Sequence, residues 1–170
     1  MRIALYGGSF NPPHLGHERV ARLVSEVLHP DKLLIIPDNI PPHKNLSANA
    51  PSPLQRFEMC KIAFSGIPNC EISDMELNRG GKSYTVDTLK EFKASHPDDT
   101  LFLIMGMDMI ESFSTWYQPE EIESMCTLFV APREISSESS SVAREQLSKE
   151  HFSPMLSDSI NKYVKETNLY

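Results

Sequence analysis

The feature of this sequence that most limits its fold is a regular alternation of short apolar runs with amphipathic helical stretches. The apolar runs at 2–8, 32–37 and 100–106 predict buried strands, and the segments 14–28 and 83–95 carry apolar residues at helical spacing. Strand–helix alternation of this kind predicts βαβ units, with a parallel sheet covered by helices on both faces. We therefore expect an α/β fold built on a doubly wound parallel sheet.

The remaining segments extend the same pattern toward the end of the chain. Further elements are expected as helices at 53–64, 109–116, 119–125 and 157–170, strands at 70–78 and 126–133, and a proline-rich loop at 38–53. The composition changes at Glu134, where a serine-rich stretch begins. We expect a core over 1–133 and, in the same domain, a C-terminal segment over 134–170 whose helices pack on the sheet.

Composition and charge limit the classes of partner. The chain has 170 residues, 40% of them hydrophobic, which is enough to bury one core. Sixteen basic residues stand against 23 acidic ones, giving a net charge of −7. A dedicated nucleic-acid-binding protein needs a basic face, so nucleic acid is not an expected partner. Any anionic ligand must be held by a few placed cations and by backbone amides.

The cysteines and the hydropathy pattern indicate a cytoplasmic protein. The three cysteines are far apart and show no CxxC spacing, which argues against a disulfide framework and against a zinc site. No apolar run approaches the roughly 18 residues that a membrane helix needs, and no charged leader precedes the first strand. We expect no membrane partner.

The segment GGSFNPPHLGH at 7–17 carries the most chemical information. Its paired glycines let the backbone approach a ligand closely. His14 and His17 are three residues apart at the start of a predicted helix, so both lie on one face near free N–H groups that favour an anion. Two imidazoles there can donate hydrogen bonds to a phosphate. The alternative is a helix-capping loop with incidental histidines.

Other unusual residues follow the later strands. Lys44 lies in the proline-rich loop. It could be a mobile charge that closes over a phosphate, or it could be an ordinary solvated lysine. Asp108 follows the strand at 100–106 and could bond a ribose hydroxyl or metal-bound water, or serve as a helix N-cap. Arg56 lies near the start of the helix expected at 53–64. It could help to bind the phosphates, or it could form an ion pair with a purely structural role.

Two polar and aromatic segments suggest a pocket for a flat acidic ring. The residues SYT at 83–85 offer hydroxyls and amides at a helix start, which suits a carboxylate. Trp116 is the only tryptophan and Tyr117 follows it, and an aromatic plane can stack on a pyridine ring. The alternative is that both are ordinary core or surface aromatics.

The segment at 7–17 resembles the HxGH signature of the nucleotidylyltransferase superfamily, and most of all that of the bacterial nicotinate-nucleotide adenylyltransferases. Further segments match that family in order: PPHK at 41–44, SYTVDTL at 83–89, GMD at 106–108, STWYQPEEI at 114–122 and NLY at 168–170. Class I aminoacyl-tRNA synthetases share an HxGH motif, but they are far larger and carry a KMSKS-like loop that this sequence lacks.

The resemblance implies a Rossmann-like fold and an enzyme that transfers AMP from ATP to nicotinate mononucleotide. The products would be nicotinate adenine dinucleotide and pyrophosphate, in NAD biosynthesis. Mg²⁺ would enter with ATP, and no protein-only metal site is expected. The implied catalytic residues are His14, His17, Lys44 and Arg144. The implied ATP-binding residues are Gly7, Gly8, Ser9, Phe10, His14, His17, Gly106, Asp108, Ser140, Ser141 and Arg144. The implied mononucleotide-binding residues are Asn11, Lys44, Ser83, Tyr84, Thr85, Trp116 and Tyr117.

The serine-rich stretch is where the sequence departs from the family. The family has an ISSTxIR motif that holds the ATP phosphates, and its best match here is SSSVAR at 139–144. A second register, ISSES at 135–139, has serine at 141 where an arginine is needed. A plain linker is the third interpretation. The segment before SSSVAR is also shorter than in the family, where another strand is usual, which puts the adenine pocket in question.

Two other functions fit the same sequence. One is a nucleotidylyltransferase with another phosphate acceptor, such as phosphopantetheine, although SYT and the Trp–Tyr pair favour a flat ring. The other is a non-catalytic nucleotide-binding relative. The sequence leaves open the oligomeric state and the discrimination against nicotinamide mononucleotide.

Overall fold

The computed structural model describes residues 1–135 and 138–170, and a parallel sheet of five strands forms its centre. The strands are β1 (Arg2–Gly8), β2 (Lys32–Pro37), β3 (Cys70–Ile72), β4 (Thr100–Gly106) and β5 (Thr127–Ala131). They lie in the order β3-β2-β1-β4-β5, and every neighbouring pair is parallel. The expectation of a parallel α/β sheet is confirmed.

Helices connect the strands and complete the chain. They are α1 (Leu15–Leu28), α2 (Pro53–Ala63), α3 (Met75–Arg79), α4 (Thr85–Ser95), α5 (Met107–Ser112), α6 (Pro119–Met125), α7 (Ser140–Glu150) and α8 (Asp158–Thr167). Short 3₁₀ turns cover Phe113–Thr115 and Arg133–Ile135.

Alternate residues of the strands feed two hydrophobic cores, one on each face of the sheet. In β1, Ala4 and Tyr6 join the core formed with α1, α2, α7 and α8, while Ile3 and Leu5 join the core formed with α4 and α6. Because side chains alternate across a strand, a sheet buried on both faces needs continuous apolar strands. This explains the unbroken apolar runs in the sequence.

The last two helices share the first of these cores. Ala143 and Leu147 of α7 and Ile160 and Val164 of α8 are buried in the same cluster as Ala4. Asn161 fixes the turn between the two helices, because its buried amide accepts from the Ser153 N–H at 2.9 Å and donates to the Ser153 carbonyl at 2.9 Å. Helices α7 and α8 therefore pack on the sheet.

The predicted strand at 70–78 is wrong over most of its length. Only Cys70–Ile72 pairs with β2, and residues Met75–Arg79 form a helical turn instead. The turn buries the Glu76 carboxylate, which accepts a hydrogen bond from the Thr88 hydroxyl at 2.6 Å. An alternating apolar–polar pattern does not show where a short edge strand ends and a helical turn begins, because tertiary contacts decide that boundary.

The order of the strands also places the ligand-binding edge. Chain connections run outward from β1 to β2 and β3 on one side, and from β4 to β5 on the other. A doubly wound sheet opens a crevice beyond the carboxyl ends of its strands where this direction reverses. Here the reversal lies between β1 and β4.

Candidate active site

A cavity of about 950 Å³ lies at this edge of the sheet. All the residues to which the family resemblance assigns a site role line this cavity. They are spread along the chain from Gly7 to Arg144. The fold therefore brings together the loop after β1, the loop after β2, the starts of α4 and α5, the Trp116–Tyr117 pair and the start of α7.

His14 and His17 fix each other at the start of α1. The backbone N–H of His14 donates to Nδ1 of His17 at 3.1 Å, and the N–H of His17 donates to Nδ1 of His14 at 3.3 Å. The two rings stack, with centroids 3.6 Å apart and planes 20° apart. The capping interpretation is confirmed, and this cap orients the two rings, whereas their role toward a phosphate stays a prediction.

This arrangement determines where each imidazole carries its proton. A ring nitrogen that accepts a hydrogen bond has no proton, so a neutral ring here is protonated at Nε2. Burial lowers the pKa of His14 to about 4, and burial with the neighbouring His14 and Lys44 holds the pKa of His17 well below its usual range. At neutral pH each ring is an uncharged Nε2–H donor at the cavity.

The glycine between the histidines leaves room for their packing. A Cβ at Gly16 would lie 2.9 Å from a Glu138 carboxylate oxygen and 3.0 Å from Nδ1 of His14. On the other side, the buried Phe10 ring packs edge-on against His17, with centroids 5.0 Å apart. The Phe10 ring belongs to the core and supports His17, and Phe10 also lines the cavity, so its predicted contact with ATP stays a prediction.

A buried ion pair joins the loops after β1 and β2. The guanidinium of Arg56 is fully buried and donates to the Asp38 carboxylate at 2.9 Å, to the Ser9 carbonyl at 2.6 Å and to the Asp38 carbonyl at 2.8 Å. The Ser9 hydroxyl donates to the other Asp38 oxygen at 2.6 Å. The structural interpretation of Arg56 is therefore the correct one.

The residues predicted to bind a flat acidic ring lie together at another part of the cavity. Thr85 begins α4, and the buried Ser83 hydroxyl accepts from the Asn39 N–H at 2.9 Å. The Tyr84 and Tyr117 rings lie 5.0 Å apart, and Trp116 is partly buried against Phe113 at 5.5 Å.

Asp108, Lys44 and Arg133 are exposed charges of the cavity wall. Asp108 lies in the first turn of α5 and pairs with Arg133 at 3.0 Å. The N-cap of α5 is Gly106, so the N-cap interpretation of Asp108 is wrong. Lys44 lies exposed on the loop after β2.

The start of α7 contacts the loop after β1. Ser139 is the N-cap, the Ser140 hydroxyl donates to the Pro12 carbonyl at 3.0 Å, and Arg144 donates to the Asn11 carbonyl at 2.7 Å. The linker interpretation of 139–144 is wrong, because most of that stretch is helical. Residues 136 and 137 of the competing ISSES register lie outside the described residues.

Three helices of eleven or more residues begin at this cavity. Lining residues include the N-caps of α1, α4 and α7, which are His14, Tyr84 and Ser139. The side chains of Tyr84 and Ser139 do not cap their helices, so first-turn N–H groups stay available. Helix N-termini favour anions, and three together can hold several negative groups.

Four charged residues that line this cavity were not predicted from the sequence, namely Asp38, Glu76, Arg133 and Glu138. Asp38 directly follows β2, and a carboxylate at the end of a buried strand was a signal that could have been used. Arg133 and Glu138 also line the cavity, and Glu138 forms a short ion pair with Arg19. No local pattern marks either of them, because their partners lie far away in the sequence.

The described part of the chain has neither a metal-binding cluster nor a membrane-spanning helix. Within 1–135 and 138–170, no cluster of three or more His, Cys, Asp or Glu side chains could hold a metal ion. Among the helices described there, none has the length and apolar character to cross a bilayer.

Comparison with known proteins gives one family. Residues 5–165 match the cytidylyltransferase-like family. A probable nicotinate-nucleotide adenylyltransferase of Oceanobacillus iheyensis is 35% identical over 185 residues, covering 99% of this chain and 96% of the relative. Another, from Citrifermentans bemidjiense, is 41% identical over 133 residues, covering 78% of this chain. In that comparison the chain spans 61% of the relative's length.

The fold also matches a solved structure. The nicotinic acid mononucleotide adenylyltransferase of Plasmodium falciparum, solved in complex with NaAD, superposes with a TM-score of 0.82. The two chains are 22% identical, and the match covers 99% of this chain and 97% of the other. At this identity the likeness establishes the Rossmann-like fold.

Replacing Arg56 tests the ion pair between the loops. Arg56→Met leaves the Asp38 carboxylate without its cation in a buried site, so the free energy of unfolding should fall by about 3–5 kcal/mol in urea titrations. Lys61→Met, on the same helix but exposed, should change it by less than about 0.5 kcal/mol. If Arg56→Met unfolded at the same urea concentration as the wild type, the ion pair between Arg56 and Asp38 would not be needed for stability.

The low pKa of His14 predicts a pH dependence of stability. Below pH 6.5 the unfolded chain binds a proton on this histidine, whereas the folded chain stays neutral until about pH 4. The free energy of unfolding should therefore fall between pH 6.5 and 4, by about 3 kcal/mol for this group. His14→Asn keeps a capping oxygen but does not titrate, so the wild-type curve should be steeper in this window. Parallel curves would contradict the prediction.

Proposed function

The chain belongs to the cytidylyltransferase-like family and, within it, to the nicotinate-nucleotide adenylyltransferases, and from this premise we propose that it transfers AMP from ATP to nicotinate mononucleotide. The products are nicotinate adenine dinucleotide and pyrophosphate, so the enzyme is a nucleotidyltransferase of NAD biosynthesis.

One observation supports this reaction above the others. Three helix N-termini and two neutral imidazole donors line a single cavity of about 950 Å³. A chain with a net charge of −7 can hold a triphosphate and a nucleotide monophosphate together only through such local donors. The size of the cavity also suits two nucleotides.

The proposed mechanism needs no protein nucleophile. A phosphate oxygen of the mononucleotide attacks the α-phosphorus of ATP, and the bond from that phosphorus to the oxygen bridging it to the β-phosphorus breaks. Pyrophosphate leaves with the electrons of this bond. The Nε2–H groups of His14 and His17 donate to phosphate oxygens as negative charge develops on them. Lys44 and Arg144 supply the positive charge that the neutral imidazoles lack.

Mg²⁺ is proposed to enter with ATP. When bound, it neutralises charge on the phosphate oxygens, and Mg²⁺ is usually held by substrate phosphates, water and one or two carboxylates. The described part of the cavity fits this mode, because its carboxylates Asp38, Glu76, Asp108 and Glu138 are each paired with an arginine, so the ion would be held mainly by phosphates and water. The side chains of His14, His17, Lys44 and Arg144 then orient the phosphates and disfavour other orientations of them.

The acceptor is proposed to be the acid form of the mononucleotide. The amides at the start of α4 and the Thr85 hydroxyl are donors that suit a carboxylate. The partly buried Trp116 and the exposed Tyr117 offer faces for the pyridine ring. A carboxamide would place its NH₂ group against these donors.

The proposed location is the cytoplasm. The three cysteines are free thiols, and Cys60 is buried in the core. Burial raises the pKa of the Cys70 thiol to about 12, so this thiol stays protonated and unreactive. Free thiols of this kind suit a reducing compartment.

A pyrophosphate-release assay tests the function. The chain should release pyrophosphate with ATP and nicotinate mononucleotide, with a higher kcat/KM than with nicotinamide mononucleotide. His17→Ala should lower kcat about 10²–10³-fold, because it removes a donor to the transition state, while the remote exposed His96→Ala should not. Equal use of both mononucleotides would refute the acid preference. Turnover only with another acceptor, such as phosphopantetheine, or binding without turnover would favour the two alternative functions.

Arg144 is predicted to dominate ATP recognition at the start of α7. Arg144→Ala should raise the KM for ATP about 10–100-fold, because a charge-assisted hydrogen bond contributes about 1.5–3 kcal/mol. Arg144→Lys should recover only part, since lysine cannot form two parallel bonds. Ser140→Ala should cost less. Lys149→Ala, exposed on the same helix, is the control. Wild-type kinetics of Arg144→Ala would refute the assignment of SSSVAR.

A further inference from the structure

Tyr170 reaches the loop after β1 from the far end of the described chain. Asn168 adopts a left-handed conformation at the end of α8, and the Leu169 N–H donates to the Val164 carbonyl at 3.1 Å. This turn packs Leu169 and Tyr170 against the first core. The Tyr170 hydroxyl then donates to Oδ1 of Asn11 at 2.7 Å, across 159 residues of sequence.

Asn11 is nearly enclosed, yet it lines the cavity. Its exposure is 4%, and its backbone carbonyl accepts from Arg144 at 2.7 Å. Its side-chain oxygen is bonded to Tyr170, whereas no residue in 1–135 or 138–170 accepts a hydrogen bond from its amide nitrogen. A buried amide with one end bonded has its NH₂ group left for a ligand.

The Tyr170 hydroxyl keeps its proton and donates it to Asn11. Burial raises the pKa of Tyr170, and the nearby cations Arg144 and Arg56 do not reverse this shift. In the described part of the chain, Oδ1 of Asn11 is the acceptor for the phenol proton, so turning the amide would leave that proton without an acceptor. The hydroxyl therefore favours one of the two orientations of the amide. Without the hydroxyl, the amide could turn by 180° and present its oxygen to an anionic ligand.

We propose that Tyr170 is a positioning residue for the acceptor nucleotide. By holding Oδ1 of Asn11, it keeps the Asn11 NH₂ group directed at an anionic oxygen of the bound mononucleotide. Tyr170 does not touch the substrate and acts through Asn11. This inference rests on the proposed adenylyl transfer, and it adds a residue remote in sequence from every motif that binds phosphate.

Removing one oxygen atom tests the proposal. Tyr170→Phe should raise the KM for nicotinate mononucleotide about five- to tenfold, as expected for one hydrogen bond, and the KM for ATP less than twofold. The melting temperature should change by no more than a few degrees, because the ring still packs. Tyr163→Phe removes the same atom from the partly buried tyrosine of α8 and should change neither KM.

A double-mutant cycle separates positioning from general stability. In the Asn11→Ala background, Tyr170→Phe should have no further effect on the mononucleotide KM, because its route to the substrate is gone. Additive effects, or an unchanged KM in Tyr170→Phe, would overturn the proposal. If Tyr170→Phe is poorly folded, Asn11→Asp replaces it. Its carboxylate still accepts from the phenol but lacks the NH₂ group, so the mononucleotide KM should rise in a protein of normal stability, and an unchanged KM would overturn the proposal.

A spectroscopic readout keeps this result independent of activity. The side-chain NH₂ signals of Asn11 in a ¹⁵N-labelled protein should be sharp in the wild type and broadened in Tyr170→Phe, even without substrate. If the wild type lacks adenylyl transfer, the proposed function fails, and these signals still decide whether the phenol orients the amide. Identical signals in both proteins would refute the positioning role.

Discussion

The buried contact between Arg56 and Asp38 is the interaction on which the site most depends. The backbone ladder between β1 and β2 reaches the Asp38 N–H, which donates to the Gly8 carbonyl at 3.0 Å, and beyond this bond the two loops at the carboxyl edge depend on side chains. The guanidinium bonds carbonyl oxygens of both and neutralises the Asp38 carboxylate. A buried charge without its partner is costly, so the pair defines one relative position of the loops rather than adding much net stability.

A second constraint is electrostatic. The chain carries a net charge of −7, yet its cavity is built for anions. Fixed dipoles resolve this conflict, because helix N-termini and neutral imidazoles donate hydrogen bonds without a large net positive charge. The stacked pair of His14 and His17 could not be protonated on both rings without strong repulsion. Burial is the main cause that lowers the pKa of both histidines, and it keeps both rings as neutral donors.

The loop after β1 is also held by residues from the end of the chain. Ser140 bonds the Pro12 carbonyl, Arg144 bonds the Asn11 carbonyl and Tyr170 bonds the Asn11 side chain. The C-terminal helices and Tyr170 thus fix the loop after β1, and they share its hydrophobic core. A rigid loop with preset donors lowers the reorganisation needed when charge develops during the reaction.

The sequence by itself determined the elements whose signals are local. Continuous apolar runs predicted strands buried on both faces, and the three-residue spacing of His14 and His17 placed both rings at one helix start, because helix periodicity fixes which neighbours meet. The segment 70–78 failed, since a short edge strand and a helical turn share its pattern and only the contact of Glu76 with Thr88 decides between them. Tertiary structure alone decided that Arg56 is a structural cation and that Tyr170 contacts Asn11. Their partners lie 18 and 159 residues away, and such contacts arise from the closure of the whole chain, which no local periodicity records.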